Sequence, residues 1–330
     1  MRKANIMTKT CLGCGITLQT TNASELGYIP ENKYADSLYC QRCFKLIHYA
    51  KKEVNKPNIN NKELLNIVNK SNGYAFFLVD LYNINSEVIN TFKSIKIPKT
   101  LLVNKSDLIP RGVKLFYLKE NIKRVYNLSS DVIFISTKKD ISKNMFINPL
   151  INNNSDTAYI LGYTNAGKSS LINKLMLNKV ITTSNMPNTT LDLINLKLDD
   201  YNIIDTPGFT LMHPFYQEND WDLIKRINAS HTVKPLTYQT KDNQIFMIEE
   251  KIFLKSFGEN SITFYLSNLV KFKKLYKQEN MVYQEIAIPA NSDIVITNIG
   301  FVNVKKECHI MINQDALSLI EVRPSIFGGE

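Results

Sequence analysis

The sequence has no apolar run long enough for a membrane. Its longest apolar block, Tyr74-Ala-Phe-Phe-Leu-Val79, stops at Asp80. That is far short of the roughly 18 apolar residues of a spanning helix, and it reads as a buried strand. The amino terminus, Met1-Arg-Lys-Ala-Asn-Ile-Met-Thr-Lys9, lacks an apolar signal region. These absences predict a soluble, cytoplasmic protein with no membrane partner. Cysteine is scarce, with five in 330 residues, and four of them fall within the first 43. In a cytosolic chain this argues against a disulfide framework and for metal ligation or free thiols. There is no internal repeat, and no nucleotide-binding motif beyond about residue 215.

What is present is globular. Hydrophobic residues make up 44% and charged residues 21%, enough for a real core, and the length suits two or three domains. The formal net charge is +10 and the pI about 9.1. A basic balance of this size suits a polyanionic partner such as RNA; its plain alternative is a solvated, lysine-rich surface.

From about residue 63 apolar strands alternate with amphipathic segments. Strands are expected at 74–80, 99–103, 131–136, 157–162, 192–198 and 201–205. Helices are expected at 63–70, 86–94, 112–126 and 168–178. The alternation predicts an α/β fold with a mainly parallel sheet. Residues 50–62 read as a polar linker. Past residue 235, short alternating runs such as Ser261-Ile-Thr-Phe-Tyr-Leu266 and Asp293-Ile-Val-Ile-Thr297 predict a separate, mixed, β-rich domain.

Gly162-Tyr-Thr-Asn-Ala-Gly167-Lys168-Ser169 has the spacing of a phosphate loop, with a strand before it and a helix after it. Its glycines let the backbone curl around phosphate oxygens. The amides of Asn165, Ala166, Gly167, Lys168, Ser169 and Ser170 then meet the anion at a helix start. Lys168 reaches the β- and γ-phosphates, and the Ser169 hydroxyl binds Mg²⁺. Asp205-Thr-Pro-Gly208 follows another strand; Asp205 suits Mg²⁺, and the Gly208 amide suits the γ-phosphate. Between them lie Thr189 and Thr190. Thr190 is favoured to complete the Mg²⁺ shell; the alternative is a solvent-exposed threonine.

Asn104-Lys105-Ser106-Asp107 also follows a strand. The Asp107 carboxylate can accept from guanine N1 and N2, groups that adenine does not offer. The Lys105 stem can lie across the base while Asn104 braces the loop. Ser136-Thr137-Lys138 ends a further strand, where its backbone suits guanine O6. The expected ligand is therefore GTP or GDP.

In ordinary G proteins the phosphate loop comes first. Here the base-reading motifs precede it, at 104 and 136, and the others follow at 162, 190 and 205. With Asp80 ending the first strand, the paired cysteines and Pro187-Asn-Thr-Thr-Leu-Asp192, the chain resembles the circularly permuted GTPases, and within them the YqeH family. It departs at Asn188, where the family usually has glycine. The resemblance implies a permuted P-loop GTPase domain and assistance to small (30S) ribosomal subunit assembly through nucleotide-dependent binding of rRNA or pre-ribosomes. It suggests a module at 1–60, a G domain at 61–215 and a partner-binding domain at 216–330. A GTP-binding RNA or protein scaffold with mainly structural nucleotide, not directed to the ribosome, is the alternative.

Phe209 stands where Ras-like proteins place a water-orienting glutamine, so slow intrinsic hydrolysis is expected. Asn165 resembles the asparagine that helps hold K⁺ in potassium-dependent relatives, or it only braces the loop. With Lys168, Thr190 and Gly208 it makes up the candidate catalytic set. Cys11-Leu-Gly-Cys14 and Cys40-Gln-Arg-Cys43 are two Cys-x2-Cys knuckles, suited to a closed, structural Zn²⁺ site. Nearby Arg42, Lys45, Lys51 and Lys52 can touch phosphates, while His48 reads as a surface residue. Lys271-Phe-Lys-Lys-Leu-Tyr-Lys277 interleaves basic and aromatic residues, for RNA contact or for a core-facing strand.

Overall fold

The computed structural model describes residues 9, 17–22, 27–34, 37–38, 40–41, 61–177, 182–183, 193–216, 220–241, 244–256, 258–276 and 281–327. Cys11, Cys14, Cys43 and Thr190 lie outside the described residues. So do Arg42, Lys45, His48, Lys51, Lys52 and the segment 187–192. The chain packs as two compact units. One comprises Met1–Tyr74, Asp140–Leu161 and Gly167–Pro207; the other comprises Ala75–Lys139, Gly162–Ala166 and Gly208–Glu330.

Along the first part of the chain the elements are α1 (Asn61–Asn69), β1 (Tyr74–Asp80), α2 (Ser86–Ser94), β2 (Lys99–Asn104), α3 (Leu115–Val125) and β3 (Asp131–Phe134). They continue as α4 (Asn144–Asn152), β4 (Thr157–Gly162), α5 (Lys168–Leu177), β5 (Thr182–Thr183), β6 (Ile194–Leu198) and β7 (Tyr201–Asp205). β1 and β2 pair in parallel from Ala75↔Lys99 to Asp80↔Asn104, and β2 and β3 pair in parallel from Thr100↔Asp131. Every residue of β1 is buried, as expected of a parallel strand covered on both faces. In the other unit β4 and β7 pair in parallel, and β7, β6 and β5 follow as antiparallel neighbours.

The expected strands and helices are present, with ends shifted by a few residues. Two corrections concern helices. Asn61 and Lys62, read as linker, open α1. Residues 144–152, given no element by the sequence reading, form α4 around an internal Pro149, with Phe146 and Leu150 buried. A proline inside a helix removes one hydrogen bond and normally breaks the pattern; here the buried i, i+4 pair holds it.

The carboxy-terminal part contains α6 (Trp221–Ile227), capped by the Asp220 side chain on the Leu223 amide. Ten strands follow: β8 (Leu236–Thr240), β9 (Gln244–Ile248), β10 (Ile252–Ser256), β11 (Asn260–Leu266), β12 (Phe272–Leu275), β13 (Tyr283–Ile288), β14 (Ser292–Ile296), β15 (Gly300–Val304), β16 (Cys308–Asn313) and β17 (Ile320–Pro324). They form two five-stranded antiparallel sheets, in the orders β17-β14-β15-β11-β8 and β12-β9-β10-β16-β13. Phe246, Ile248 and Leu254 of one sheet share a core with Ile262, Phe264 and Val302 of the other. That is a sandwich, as two half-apolar sheets require. The alternation read at Ser261–Leu266 is the inward-outward register of β11.

Candidate guanine-nucleotide site

Three parallel strands, β1, β2 and β3, deliver the residues expected to read the base. β2 ends at Asn104, which is buried. Its side-chain amide donates to the Ala166 carbonyl of the phosphate loop at 3.0 Å. The other end of that amide, Oδ1, is buried with no partner among the described residues. A buried acceptor without a donor is costly, so the site fits a ligand that brings one. Lys105 follows in the left-handed region at φ 65. Its ammonium pairs with the Asp80 carboxylate at 2.6 Å, and Asp80 also accepts from the Tyr82 amide and from Asn83. The residue that ends β1 thus fixes the lysine stem.

Asp107 accepts from the Ser136 hydroxyl at 2.7 Å and pairs with Lys138 at 3.2 Å. The loops are also tied by their backbones, Ser106 N–H donating to the Ile135 carbonyl. Burial raises the Asp107 pKa, but the hydrogen bonds from Ser136 and Lys138 and the Lys138 charge outweigh it. The net effect holds the carboxyl below its usual value. Asp107 is therefore an ionised acceptor at neutral pH.

The phosphate loop begins at Gly162, with φ 150. A Cβ there would stand 2.3 Å from the Leu78 carbonyl oxygen, so only glycine fits. Asn165 and Gly167 also have positive φ, at 63 and 99. Alternating backbone signs of this kind turn amides toward a common centre, as in anion nests. Lys168 and Ser169 open α5, with Lys168 buried and Ser169 and Ser170 exposed. Asp205 is the last residue of β7.

Two features bear on hydrolysis. Phe209 is wholly buried, its ring 5.9 Å from Phe77 and 5.7 Å from Tyr163. Its backbone pairs with the phosphate loop, Phe209 N–H donating to Gly162 and Thr164 N–H to Phe209. The Asn165 side chain donates to the Tyr216 hydroxyl at 2.5 Å. Tyr216 has no sequence motif to mark it.

A second group was invisible to motif reading. Lys138 also donates to the Ser230 carbonyl. The Thr232 hydroxyl donates to the Asp107 carbonyl, and Val233 N–H to the Leu108 carbonyl. Asn268 closes the set, accepting from Lys234 N–H and donating to the Thr232 carbonyl. These contacts join positions between 34 and 125 residues apart, so no local spacing signals them.

Of the cysteines read as zinc ligands, only Cys40 is described; it is buried against Leu18, Ile29 and Tyr34. Among the described residues no group of three or more His, Cys, Asp or Glu side chains is placed to hold a metal. No helix among them is long and apolar enough to cross a membrane.

The Gly-x4-Gly-Lys-Ser, Asn-Lys-x-Asp and Asp-x-x-Gly motifs, each at the end of a strand of an α/β frame, mark a P-loop GTPase. Its motifs run in permuted order, and its chemistry implies GTP or GDP and Mg²⁺. The family comparisons agree. A sequence family described as RsgA GTPase matches residues 53–213, and one described as 50S ribosome-binding GTPase matches residues 157–274. YqeH of Bacillus subtilis (strain 168) is 30% identical over 251 residues, covering 71% of this chain and 68% of YqeH. Nitric oxide-associated protein 1 of Mus musculus is 25% identical over 256 residues, 57% of this chain and 36% of that protein. Small ribosomal subunit biogenesis GTPase RsgA of Clostridium beijerinckii is 28% identical over 177 residues, 50% of this chain and 56% of RsgA. The chain belongs to the YqeH family of circularly permuted GTPases.

Proposed function

We propose that this protein is a slow GTP-hydrolysing switch that assists assembly of the small ribosomal subunit by binding rRNA or pre-ribosomes in a nucleotide-dependent way. The observation that carries the nucleotide half is the Asn104–Ala166 hydrogen bond, which sets the base-reading loop against the phosphate loop. In this reading Asp107 reads the base edge, Lys105 covers its face, and the backbone of Ser136 and Thr137 meets O6. The amides from Asn165 to Ser170 cradle the phosphates with the Lys168 ammonium. Ser169, Thr190 and Asp205 would hold Mg²⁺, which would neutralise phosphate charge when bound. The Gly208 amide senses the γ-phosphate.

Slow turnover follows from Phe209. Its ring is packed in the core, and a hydrocarbon cannot orient an attacking water. Assistance has to come from a bound partner, or from K⁺ held near Asn165; turnover unaltered on exchanging K⁺ for Na⁺ would exclude the cation. Cys11, Cys14, Cys40 and Cys43 form the proposed structural Zn²⁺ module within residues 1–60. Residues 61–215 then act as the G domain and 216–330 as the partner-binding domain. In the latter, exposed Lys271, Lys273 and Tyr276 offer phosphate contacts and a stacking surface.

A second reading, a scaffold in which nucleotide is mainly structural, is favoured by the hydrogen bonds that tie the base-reading loop to residues 230–234. Co-sedimentation with separated small and large subunits, with a non-hydrolysable GTP analogue, GDP or no nucleotide, separates the readings. Analogue-dependent binding to the small subunit, with turnover rising on adding subunits, supports the switch. Binding indifferent to nucleotide supports the scaffold. Binding to the large subunit alone would move the target, and no binding would remove the ribosome from the function.

A further inference from the structure

The guanine-reading loop is not completed by the motif-bearing strands. Its open side is closed by the chain between α6 and β8. Lys138 stands between the Asp107 carboxylate, 3.2 Å away, and the Ser230 carbonyl. Thr232 and Val233 take the main-chain carbonyls of Asp107 and Leu108. Asn268, in the turn between β11 and β12, grips both sides of Val233. A cavity of about 530 Å³ is lined by Asp107, Lys138, His231, Thr232, Lys234 and Asn268 among others.

We infer that Lys138 and the segment Ser230–Lys234, held by Asn268, are positioning residues for guanine, so that base selectivity depends on the carboxy-terminal sandwich. The inference rests on the guanine reading of the Asp107 site and deepens it. A carboxylate has room for about four hydrogen bonds. Ser136 and Lys138 each take one, on different oxygens. The Asp107 backbone amide also bonds the carboxylate, so few places remain and their direction, toward guanine N1–H and N2–H, is set by these partners. An exposed lysine–aspartate pair alone orients little. Here the ammonium is tethered at its other side by a backbone carbonyl, so the carboxylate plane is set by a chain that runs into the sandwich. Thr232 and Val233 add a grip on the loop backbone that does not depend on charge.

By linkage the coupling runs both ways. A ligand seated on the β11–β12 turn that prefers the clamped form must tighten guanine binding by the same factor by which guanine tightens it. The base end of the nucleotide, as well as its γ-phosphate end, therefore reports to the sandwich.

The test compares GDP and IDP affinity in the full-length protein. IDP lacks the exocyclic N2 amine, so the ratio of the two dissociation constants reads the Asp107 contact alone. A hydrogen bond to a charged group predicts a wild-type preference for GDP of roughly tenfold or more. Lys138→Met and Thr232→Val each remove one link on the surface, and Asn268→Ala loosens the segment. Each is expected to lower the preference for GDP over IDP by about three- to tenfold, as expected for a lost hydrogen bond, while the Tm stays near wild type. Lys139→Met is the neighbouring control and keeps the ratio. A ratio unchanged in Lys138→Met and Thr232→Val overturns the inference, as does loss of GDP and IDP binding by one common factor. A wild-type protein that binds GDP no better than ADP would instead overturn the guanine reading beneath it.

Discussion

The two sheets of the carboxy-terminal sandwich share one apolar core but handle charge in opposite ways. In the β17-β14-β15-β11-β8 sheet, Arg323 and Asp293 form an ion pair with side-chain exposures of only 3% and 0%. Arg323 also donates to the Ile84 carbonyl and to the Tyr126 hydroxyl, and Asn303 and the Ile326 amide donate to Asp293. Glu321 accepts both the amide and the hydroxyl of Ser86 at the start of α2. These polar groups fasten the sheet to the loop after β1. The β12-β9-β10-β16-β13 sheet instead leaves Lys271 and Lys273 in solvent. Lys274 lies over the Tyr238 and Tyr276 rings. One sheet is the anchor, and the other keeps its lysines on the surface.

The largest test of this contrast is on the anchor. Asp293→Asn leaves Arg323 buried without its counter-charge and should cost about 3–5 kcal/mol, read as a fall in the urea midpoint. Phe272→Ala comes next, because the Phe272 ring packs 4.7 Å from Phe264 and 6.1 Å from Phe246. Truncating a partly buried aromatic should cost about 2–3 kcal/mol, at or below the usual range for large core residues, and would show that this strand has a structural face. Lys271→Glu with Lys273→Glu should leave stability within about 0.5 kcal/mol. The same pair should weaken single-stranded RNA binding and reduce the salt slope by about one per lysine. If the slope does not move, the outer sheet is not the polyanion face. Glu321→Gln keeps the shape but removes the charge beside Ser86, and should cost no more than about 1 kcal/mol.

The smallest effect concerns Cys308 in β16, whose thiol burial pushes up while a hydrogen bond with Asn260 pulls it partly back. A thiol whose folded value is raised adds stability that is complete below the unfolded value and fades as pH climbs through the folded one. Below the ordinary thiol range Cys308 should therefore alkylate more slowly than a thiol peptide, as peptide mapping would measure. A rate equal to the peptide's would show that the strand opens freely.

The frame was legible where chemistry and spacing are local. Apolar runs ending in Asp80, Asn104, Gly162 and Asp205 announce both their strands and the loops those strands deliver. Helix α4 was hidden because Pro149 mimics a stop signal while Phe146 and Leu150 supply the burial. The dual character of residues 271–276 was not separable by composition. Phe272 faces the core, whereas Tyr276 is 73% exposed, and only the pairing of β12 with β9 decides which is which. The clamp at 230–234 was illegible for a different reason: serine, threonine and asparagine are common surface residues, and their partners lie far away in sequence.

The burial of Phe209 has a consequence for how force travels. Its ring is held by Phe77 and Tyr163, and both of its backbone hydrogen bonds go to the phosphate loop. A tug arriving at Gly208 therefore meets a bulkhead one residue later. The chain beyond is sheltered from small jolts, and motion that passes along the chain through Phe209 has to carry the phosphate loop with it.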